Sequence, residues 1–335
     1  MLTTTKLIRP WEKVGVSVPA EGQLRTSEAL RLTNTDWTVE KVSLVTAPKM
    51  VRASDGSIDT ARSENSDLFN ISNPQMCMTV RSDTRSYLGT VGKGYKIVQN
   101  TDYCKFFDEA LGADSACITG VGTLGKYGSR VFMVATLPNM LEILPSEPIE
   151  RHILLTNTHD GTGPVEALFI AWDKERDTML HAPGGKVKIR HTKNAQRRIN
   201  TAHTILYKND QYWARIQRAF AYMAKRDVGD ARVRDFLSAM FPDTCDQEGE
   251  DGTVEPGHTS HQAQAKRDEI MSIFEETSNG LPKNDWGLYN SVALFIDHKR
   301  KLSKSHVANG ISQWEISVFG PGAALRDRAF NWLTR

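Results

Sequence analysis

The chain has 335 residues, of which 39% are apolar and 24% charged, the composition of a globular protein with one large core or two ordinary ones. Its first residues hold no apolar leader and no apolar run reaches the length of a membrane span, so we expect a cytoplasmic protein rather than a secreted or membrane-inserted one. The four cysteines form no C-x-x-C pair and no zinc-ligand spacing, which predicts reduced thiols.

The charge is unevenly distributed along the chain. Residues 186–234 carry thirteen Lys/Arg against three acids, a local charge of +10 in a chain of net charge +2. The rest of the chain is therefore net acidic. A concentrated cationic surface attracts polyanions through counterion release and long-range steering, so this segment predicts a polyanionic partner without naming a reaction.

Strand patterns dominate the first two thirds of the chain. Residues 1–70 are polar and punctuated by Gly, Ser and Asp, and predict an irregular lead-in with two short strands. Residues 71–242 predict an α+β core. Its expected strands are two runs within 75–99, then 116–121, 130–137, 153–155, 165–172 and 186–190.

From residue 195 the apolar period becomes helical. Apolar stripes predict helices over 195–206 and 213–223, and another near 231–241 that ends at Pro242. Residues 243–260, rich in acids and glycines, predict a flexible acidic linker. Residues 261–335 predict C-terminal helices that pack on the core, at 261–276, 285–301 and 323–333. The expected fold class is α+β, with a largely antiparallel sheet in the first two thirds and a helical C-terminal part.

The glycine-rich stretch 89–94 contains Gly-Lys and resembles a phosphate-binding loop. The spacing does not fit G-x-x-x-x-G-K-[ST], because Gly89 precedes Gly92 by only three residues and Gly94 follows Lys93. A hairpin between two strands explains these glycines better than a nucleotide site. Asn100, just after the second strand, suits a helix N-cap.

The densest polar run, residues 156–163, follows a buried strand and contains His159-Asp160-Gly161. An imidazole beside a carboxylate suits a metal ion or a proton transfer. Adjacent residues of an extended chain point to opposite faces, however, so both side chains reach one substrate only if the loop turns sharply. Asp-Gly also favours a tight turn by itself, and a plain hairpin turn explains the run equally well.

Residues 186–198 hold six Lys/Arg and no acid. The strand part alternates, with Val187 and Ile189 expected inward, and a helix follows for which Thr192 is a candidate cap. A row of outward cations can track a phosphate backbone, although a solvated surface neutralised by acids elsewhere is the alternative. The predicted nucleic-acid-binding residues are Lys186, Lys188, Arg190, Lys193, Arg197 and Arg198.

The helix predicted after Asn284 carries three polar residues, Asn290, Asp297 and His298. Asn290 and Asp297 are seven residues apart, which places them at similar azimuth on an α-helix, where both can meet one ligand. Solvent exposure or packing against the sheet loops is the commoner explanation. No nucleophile elbow, H-E-x-x-H or dinucleotide fingerprint occurs, and no cofactor is indicated.

Four ordered blocks of sequence carry a resemblance. They are Tyr-Leu-Gly-Thr-Val-Gly with its continuation over 87–100, Thr-Asn-Thr-His-Asp-Gly at 156–161, Ile-Arg-His-Thr at 189–192, and Trp-Gly-Leu-Tyr-Asn followed by Asp-His within 286–298. In this order they resemble the phage/plasmid-like family called domain of unknown function 932, over roughly residues 70–335. The resemblance implies a mobile-element protein with characteristic polar residues but no agreed reaction. The site candidates that it implies are Asn100, His159, Asp160, His191, Asn290 and Asp297.

One block departs from that family. Where its members resemble Arg-Val-Val-Cys-x-Asn-Thr-Leu, this chain has Asp-Lys-Glu-Arg-Asp-Thr-Met-Leu over residues 173–180. A mechanism that needs a thiol at this position is therefore not expected here.

Two functional hypotheses follow from the sequence. The first is a phage- or plasmid-encoded protein that binds nucleic acid, with single-stranded DNA favoured, as an annealing or recombination accessory that forms homo-oligomers. The second is a metal-assisted hydrolase of nucleotides or nucleic acid that uses His159, Asp160, His191 and Asp297 as catalytic residues, with Asn100 and Asn290 binding the ligand. The first is preferred, because the charge segregation is read directly from the residues.

Overall fold

The computed structural model describes residues 9–18, 24–45, 51–52, 58–59, 72–104, 107–108, 116–144, 147–200, 203–243, 247–248, 254–255, 260–276 and 280–335. Its strands are β1 Val16–Ser17, β2 Val39–Val45, β3 Val51–Arg52, β4 Ile58–Asp59, β5 Ser72–Arg81, β6 Tyr87–Gly92, β7 Cys117–Leu124, β8 Arg130–Thr136, β9 Leu141–Leu144, β10 Glu147–Thr158, β11 Val165–Asp173, β12 Thr178–Leu180, β13 Lys186–Ile189, β14 Gln247–Glu248 and β15 Val254–Glu255.

The helices are α1 Thr26–Leu32, α2 Ala195–Asn200, α3 His203–Ala224, α4 Asp230–Met240, α5 His261–Glu275, α6 Asp285–Leu294, α7 Lys304–Ala308, α8 Gln313–Phe319 and α9 Pro321–Leu333. A π-helical turn, Phe295–Lys299, continues α6. Antiparallel sheets in the first two thirds and helices in the last third confirm the predicted α+β class.

The main sheet has eight antiparallel strands in the order β1-β7-β8-β10-β11-β12. β13 also pairs with β11, and β9 pairs with β10. The long strands β10 and β11 lie at the centre of this sheet, and all nine residues of β11 are buried, as expected for a strand covered on both faces. Their register pairs Thr156 with Glu166, so a short loop closes the hairpin at residues 159–164.

Alternate residues of the central strands face two different apolar clusters, as the two-residue period of a strand requires. Ile153 and Phe169 belong to the larger cluster, which includes residues of α3, α4, α5, α6 and α9. Leu154 and Trp172 belong to a smaller one, built around Trp11 of the segment 9–18. The sheet is therefore sandwiched between the helices and the segment at residues 9–18 with α8.

Side-chain caps explain where several C-terminal helices begin. Ser260, Asn284, Ser303 and Ser312 each accept a hydrogen bond from the backbone N–H three residues further on. Such caps satisfy backbone donors that a helix leaves without a partner, and each contributes about 1 kcal/mol. Asn284 is thus the cap of the helix that the sequence predicted to follow it.

A second sheet of three antiparallel strands, β2-β5-β6, precedes the main sheet. The sequence predicts a hairpin between strands at the glycines of 89–94. Instead Gly89 and Gly92 lie within β6, and the turn of the hairpin is at residues 82–86. A glycine stands at position 89 because β6 passes close to the β10–β11 loop there. A Cβ on Gly89 would lie 2.4 Å from Asp160 Cα.

The described residues add details that the sequence did not predict. Helix α1 lies within the expected irregular lead-in, and α7 and α8 follow the π-helical turn. Most of the predicted acidic linker, 243–260, lies outside the described residues, but β14 and β15 within it form an antiparallel pair. The helix expected after Asn100 also lies partly outside the described residues, since 105–106 and 109–115 are not described.

Candidate functional site

An open cleft of about 410 Å³ lies where the β10–β11 loop meets the end of β13. The register that pairs Val165 with Ile189 brings the two segments side by side. Three of the four catalytic residues predicted from the sequence, His159, Asp160 and His191, come from these two segments. The cleft is lined by Tyr95, Gly161, Thr162, Gly163, Pro164, Lys188, Arg190, His191 and Thr192.

The loop does turn sharply at Asp160, and its own side chain holds the turn. Asp160 Oδ1 accepts hydrogen bonds from the backbone N–H and the hydroxyl of Thr162, at 2.8 and 2.6 Å. Its Oδ2 accepts one from the Ser129 hydroxyl at 3.1 Å. Gly161 then takes a φ of +81°, which glycine adopts without strain. The hairpin-turn interpretation and the site interpretation are therefore both compatible with this loop.

His159 is completely buried behind the cleft. Its Nε2 lies 2.8 Å from Asn100 Oδ1. The Asn100 amide nitrogen donates to the Thr35 and Trp37 carbonyls, so Oδ1 is the acceptor and His159 Nε2 carries the hydrogen. Its Nδ1 lone pair has no hydrogen-bond partner among the described residues. Burial, with the nearby His191 as a smaller cause, lowers the pKa of His159 to about 3, so the ring is neutral at pH 7.

His191 is the second imidazole of the cleft and lies on its wall. It stacks on Tyr95 with ring centroids 4.5 Å apart, and its Nδ1 donates to the Lys96 carbonyl at 3.1 Å. The Nε2 atom therefore carries the lone pair, which is buried and has no partner among the described atoms. Burial lowers the pKa of His191. Tyr95 in turn donates its hydroxyl hydrogen to the Thr158 carbonyl at 2.8 Å, which fixes the stack on β10.

Asn100 does not cap the helix that starts there, contrary to the prediction. The Gln99 carbonyl accepts from the N–H groups of Asp102 and Tyr103, which places the helix start one residue earlier. The fully buried Asn100 side chain instead joins His159 to the segment before β2. A buried amide needs partners for both its ends, and this tertiary network supplies them.

The predicted cationic row is present on β13. Lys188 and Arg190 are exposed, Ile189 is buried, and Lys186 and Val187 are half-buried. The alternation expected from the sequence therefore holds over residues 188–190, whereas Lys186 and Val187 are equally half-buried. Lys188 forms an ion pair with Glu166 at 3.0 Å, because the register places Glu166 directly opposite on β11.

The other predicted cations, Lys193, Arg197 and Arg198, are exposed and lie on the segment that leads into α2 and on α2 itself. Thr192 is not the cap of this helix, because α2 begins at Ala195 and the Asn194 carbonyl accepts from Arg198 N. Thr192 lines the cleft instead.

Asp297, the fourth predicted catalytic residue, does not reach this cleft. It accepts hydrogen bonds from Met179 N at 2.9 Å and the Ser317 hydroxyl at 2.6 Å, and pairs with Arg326 at 2.6 Å. Met179 is opposite Trp172, seven residues along β11 from Val165, or about 23 Å at 3.3 Å per residue. Asp297 therefore belongs to the opposite end of the strand.

Asn290 is fully buried in the helical core, where its amide nitrogen donates to the Trp286 carbonyl at 2.9 Å. It shares no described partner with Asp297. The two residues do not share a face because Asp297 lies in the π-helical turn Phe295–Lys299. This wider turn shifts Asp297 from the azimuth that an unbroken α-helix would give it.

The cleft thus combines exposed cations, the 161–164 loop and the neutral imidazole of His191, whose Nε2 has no partner among the described atoms. Within the described ranges, no group of three His, Cys, Asp or Glu side chains is arranged to hold a metal ion. The sequence did not single out Tyr95 or Thr162 as site residues. Tyr95 lies in the first block of the resemblance, which was the only available signal for it.

The family described as Domain of unknown function (DUF932) matches residues 87–314. The chain belongs to this family. The matched DUF932 region starts at β6, covers the cleft and ends within α8, so the site lies inside it. No curated protein and no solved structure matches the chain. Among the described residues of this DUF932 member, no helix has the length and apolar character needed to cross a bilayer.

Proposed function

We propose that this DUF932 protein binds nucleic acid, with single-stranded DNA favoured, through the cleft between the 159–164 loop and β13. The observation that carries the proposal is the placement of Lys188, Arg190 and Thr192 on one wall of an open cleft. Their positive charge and hydrogen-bond donors suit phosphate oxygens. The exposed Lys193, Arg197 and Arg198 continue this surface along the chain.

The biological role that fits best is an accessory of single-strand annealing or recombination encoded by a phage or plasmid, working as a homo-oligomer in the cytoplasm. An open cleft admits a flexible single strand, whose phosphates can follow the cations while bases contact aromatic rings such as the Tyr95–His191 stack. Because the rest of the chain is net acidic, nucleic acid should bind at this one cationic face and not over the whole surface.

The proposal predicts a definite salt dependence. Arg190→Ala should lower the slope of log K against log salt by about one, because one phosphate contact is lost. Lys188→Ala should lower it by less, because Glu166 already pairs with Lys188. Fluorescence anisotropy with labelled single-stranded DNA, duplex DNA and RNA, between 50 and 200 mM salt, measures both effects.

The matched control is Lys304→Ala, which removes an exposed cation at the start of α7, outside the cleft. It should leave the slope unchanged. The proposal fails if the unaltered protein binds none of the three nucleic acids at low salt, or if Arg190→Ala and Lys304→Ala behave alike.

A second candidate is a metal-assisted hydrolase of nucleotides or nucleic acid. One observation favours it: His159 and His191 flank Asp160, and each imidazole has its N–H fixed by a carbonyl oxygen while its other nitrogen keeps a lone pair. Metal-binding histidines are oriented in this way. The test is hydrolysis of oligonucleotides with Mg²⁺, Mn²⁺ or Zn²⁺. His191→Ala should abolish turnover while the far-ultraviolet circular dichroism stays the same.

A further inference from the structure

Two exposed tyrosines lie side by side in the fold, outside the cleft itself. Tyr87 and Tyr127 are 47% and 53% exposed, although most aromatic rings among the described residues are buried. Arg81 joins the segments that carry them. Its backbone N–H donates to the Ser86 carbonyl at 3.0 Å, and its guanidinium donates to the Tyr127 carbonyl at 3.1 Å. The two rings therefore belong to one part of the surface, which we call the tyrosine patch.

The backbone holds Tyr127 at the surface in an uncommon conformation. Tyr127 lies in the turn Lys126–Gly128 with a φ of +57°, in the left-handed region that bulky side chains rarely adopt and that Asn adopts more readily. Strain of this kind persists only where the surrounding structure fixes it, and it is concentrated at ligand-binding sites. The hydrogen bond from Arg81 to the Tyr127 carbonyl is one contact that fixes it here.

A β-bulge turns Tyr87 outward on β6. The pairing of β6 with β5 skips one residue, Leu88. The skipped residue places Tyr87 on the exposed face with Thr90 instead of on the buried face with Gly89, where strict alternation would put it. The Tyr87 and Thr90 hydroxyl oxygens lie 2.8 Å apart, in hydrogen-bond contact. Both tyrosines are thus exposed by local departures from regular backbone.

The tyrosine patch borders the loop that forms one wall of the cleft. Ser129 follows the turn of the patch, and its carbonyl accepts from His159 N at 2.7 Å while its hydroxyl donates to Asp160 Oδ2 at 3.1 Å. On β6, Gly89 lies directly against Asp160. Both segments of the patch therefore contact the 159–164 loop, which also lines the cleft.

The chemistry of the patch suits unpaired bases. An exposed aromatic ring offers a face on which any base can stack, worth about 1–3 kcal/mol per base. Lys126 is exposed as well, and its Nζ lies 5.2 Å from the Tyr127 ring centroid, so a cation for a phosphate accompanies the ring. The other exposed residues near the rings, Thr84, Arg85 and Thr90, are polar, which leaves little apolar surface for a protein partner to bury.

We propose that Tyr127 and Tyr87 stack on unpaired bases of a single strand whose phosphates lie in the cleft, an inference that rests on the proposed function. The bases of a duplex already stack on one another and do not reach the rings. The patch should therefore supply the preference for single strands, while the cations of β13 supply the attraction that all nucleic acids share.

Fluorescence anisotropy of the full chain tests this division, with a labelled thymine oligonucleotide and an abasic deoxyribose-phosphate strand of the same length. The thymine strand should bind about tenfold more tightly or better. Tyr127→Asn removes the ring and suits the left-handed φ, so it should not lower the melting temperature. It should weaken binding of the thymine strand about tenfold and leave the abasic strand and the salt slope unchanged.

Three further variants complete the test. Tyr87→Ala should also weaken binding of the thymine strand alone, whereas Tyr127→Phe keeps the ring and should bind as the unaltered chain does. Tyr222→Ala, the matched control, removes an exposed tyrosine of α3 and should change neither strand.

The outcomes separate this inference from the proposed function. Binding of neither strand by the unaltered chain overturns both. The inference alone is overturned if the two strands bind equally, if Tyr127→Asn binds the thymine strand unchanged while Arg190→Ala lowers the salt slope, or if Tyr222→Ala weakens binding as much as Tyr127→Asn.

Discussion

The side chains of the cleft owe their properties to their individual partners. His159 is neutral because it is buried, and its tautomer follows from the acceptor oxygen of Asn100. Thr79 donates its hydroxyl hydrogen to the His159 carbonyl, and His159 N donates to the Ser129 carbonyl at 2.7 Å. His159 therefore holds the loop in place, while His191 lies on the wall of the cleft.

Gly89 gives a residue-scale prediction about the same loop. Gly89→Ala should lower the free energy of unfolding by about 1–3 kcal/mol, because the new Cβ would lie 2.4 Å from Asp160 Cα and backbone has to move. The displaced loop should also weaken nucleic-acid binding. Urea denaturation followed by tryptophan fluorescence measures the stability change.

Gly92→Ala is the matched control, since Gly92 lies on the same strand and nothing lies within 4 Å of a Cβ there. It should be nearly neutral or slightly stabilising. Equal destabilisation by the two alanines would show that the contact with Asp160 does not constrain the loop.

At the scale of elements, one buried ion pair joins α4 to α6. Asp285 is completely buried at the first position of α6 and accepts from Arg232 Nε and a terminal nitrogen, at 2.8 and 2.7 Å. Arg226 lies further away, at 3.7 Å, and its side chain is 37% exposed. The ion pair with Arg232, which makes two short hydrogen bonds to Asp285, is therefore stronger than the ion pair with Arg226.

Arg232→Ala should therefore lower the free energy of unfolding by about 3 kcal/mol, because it leaves a buried carboxylate with only a distant cation. Arg226→Ala, its matched control, should cost under about 1 kcal/mol, as for an exposed pair. Thermal and urea unfolding of the two variants compare them directly. If Arg226→Ala proved the more damaging, the assignment of Arg232 as the main partner would be wrong.

At the scale of the whole molecule, four histidines from different segments share one property. Burial is the largest cause of a lowered pKa at each of them, namely His152, His159, His181 and His191. Unfolding returns each ring to an ordinary pKa near 6.5. Below that pH the unfolded chain binds more protons than the folded one, so stability falls as the pH falls.

The expected result is a loss of stability on acidification from pH 7 to pH 4, with each fully neutral ring contributing up to about 1.4 kcal/mol per pH unit. His159→Gln should lower the slope between pH 6 and pH 4 by about one proton, because its folded pKa is about 3. His261→Gln, which removes an imidazole at an exposed position, is the control. Urea denaturation at several pH values gives the slopes, and identical slopes in all three proteins would contradict the prediction.

The sequence by itself determined the features that depend on neighbours along the chain. The change of apolar period gave the α+β class and the order of strands and helices, since each period reflects the geometry of one element. The alternation of β13 gave its exposed cations, and Asn284 marked the start of α6. The ordered blocks of residues indicated the family that the comparison then showed.

Only the tertiary structure decided which distant residues meet. Asn100 and His159, 59 residues apart, are joined by a hydrogen bond, so the Asn100 side chain does not cap a helix as expected. Asp297 lies at the far end of β11, because the helical segment that carries it packs there. Its carboxylate is bonded by Met179 N, the Ser317 hydroxyl and Arg326. Periodicity sets how an element is oriented, but the packing of elements from separate parts of the chain sets its partners. For that reason the residues of one predicted site lie in two places, His159, Asp160 and His191 at the cleft and Asp297 at the other end of β11.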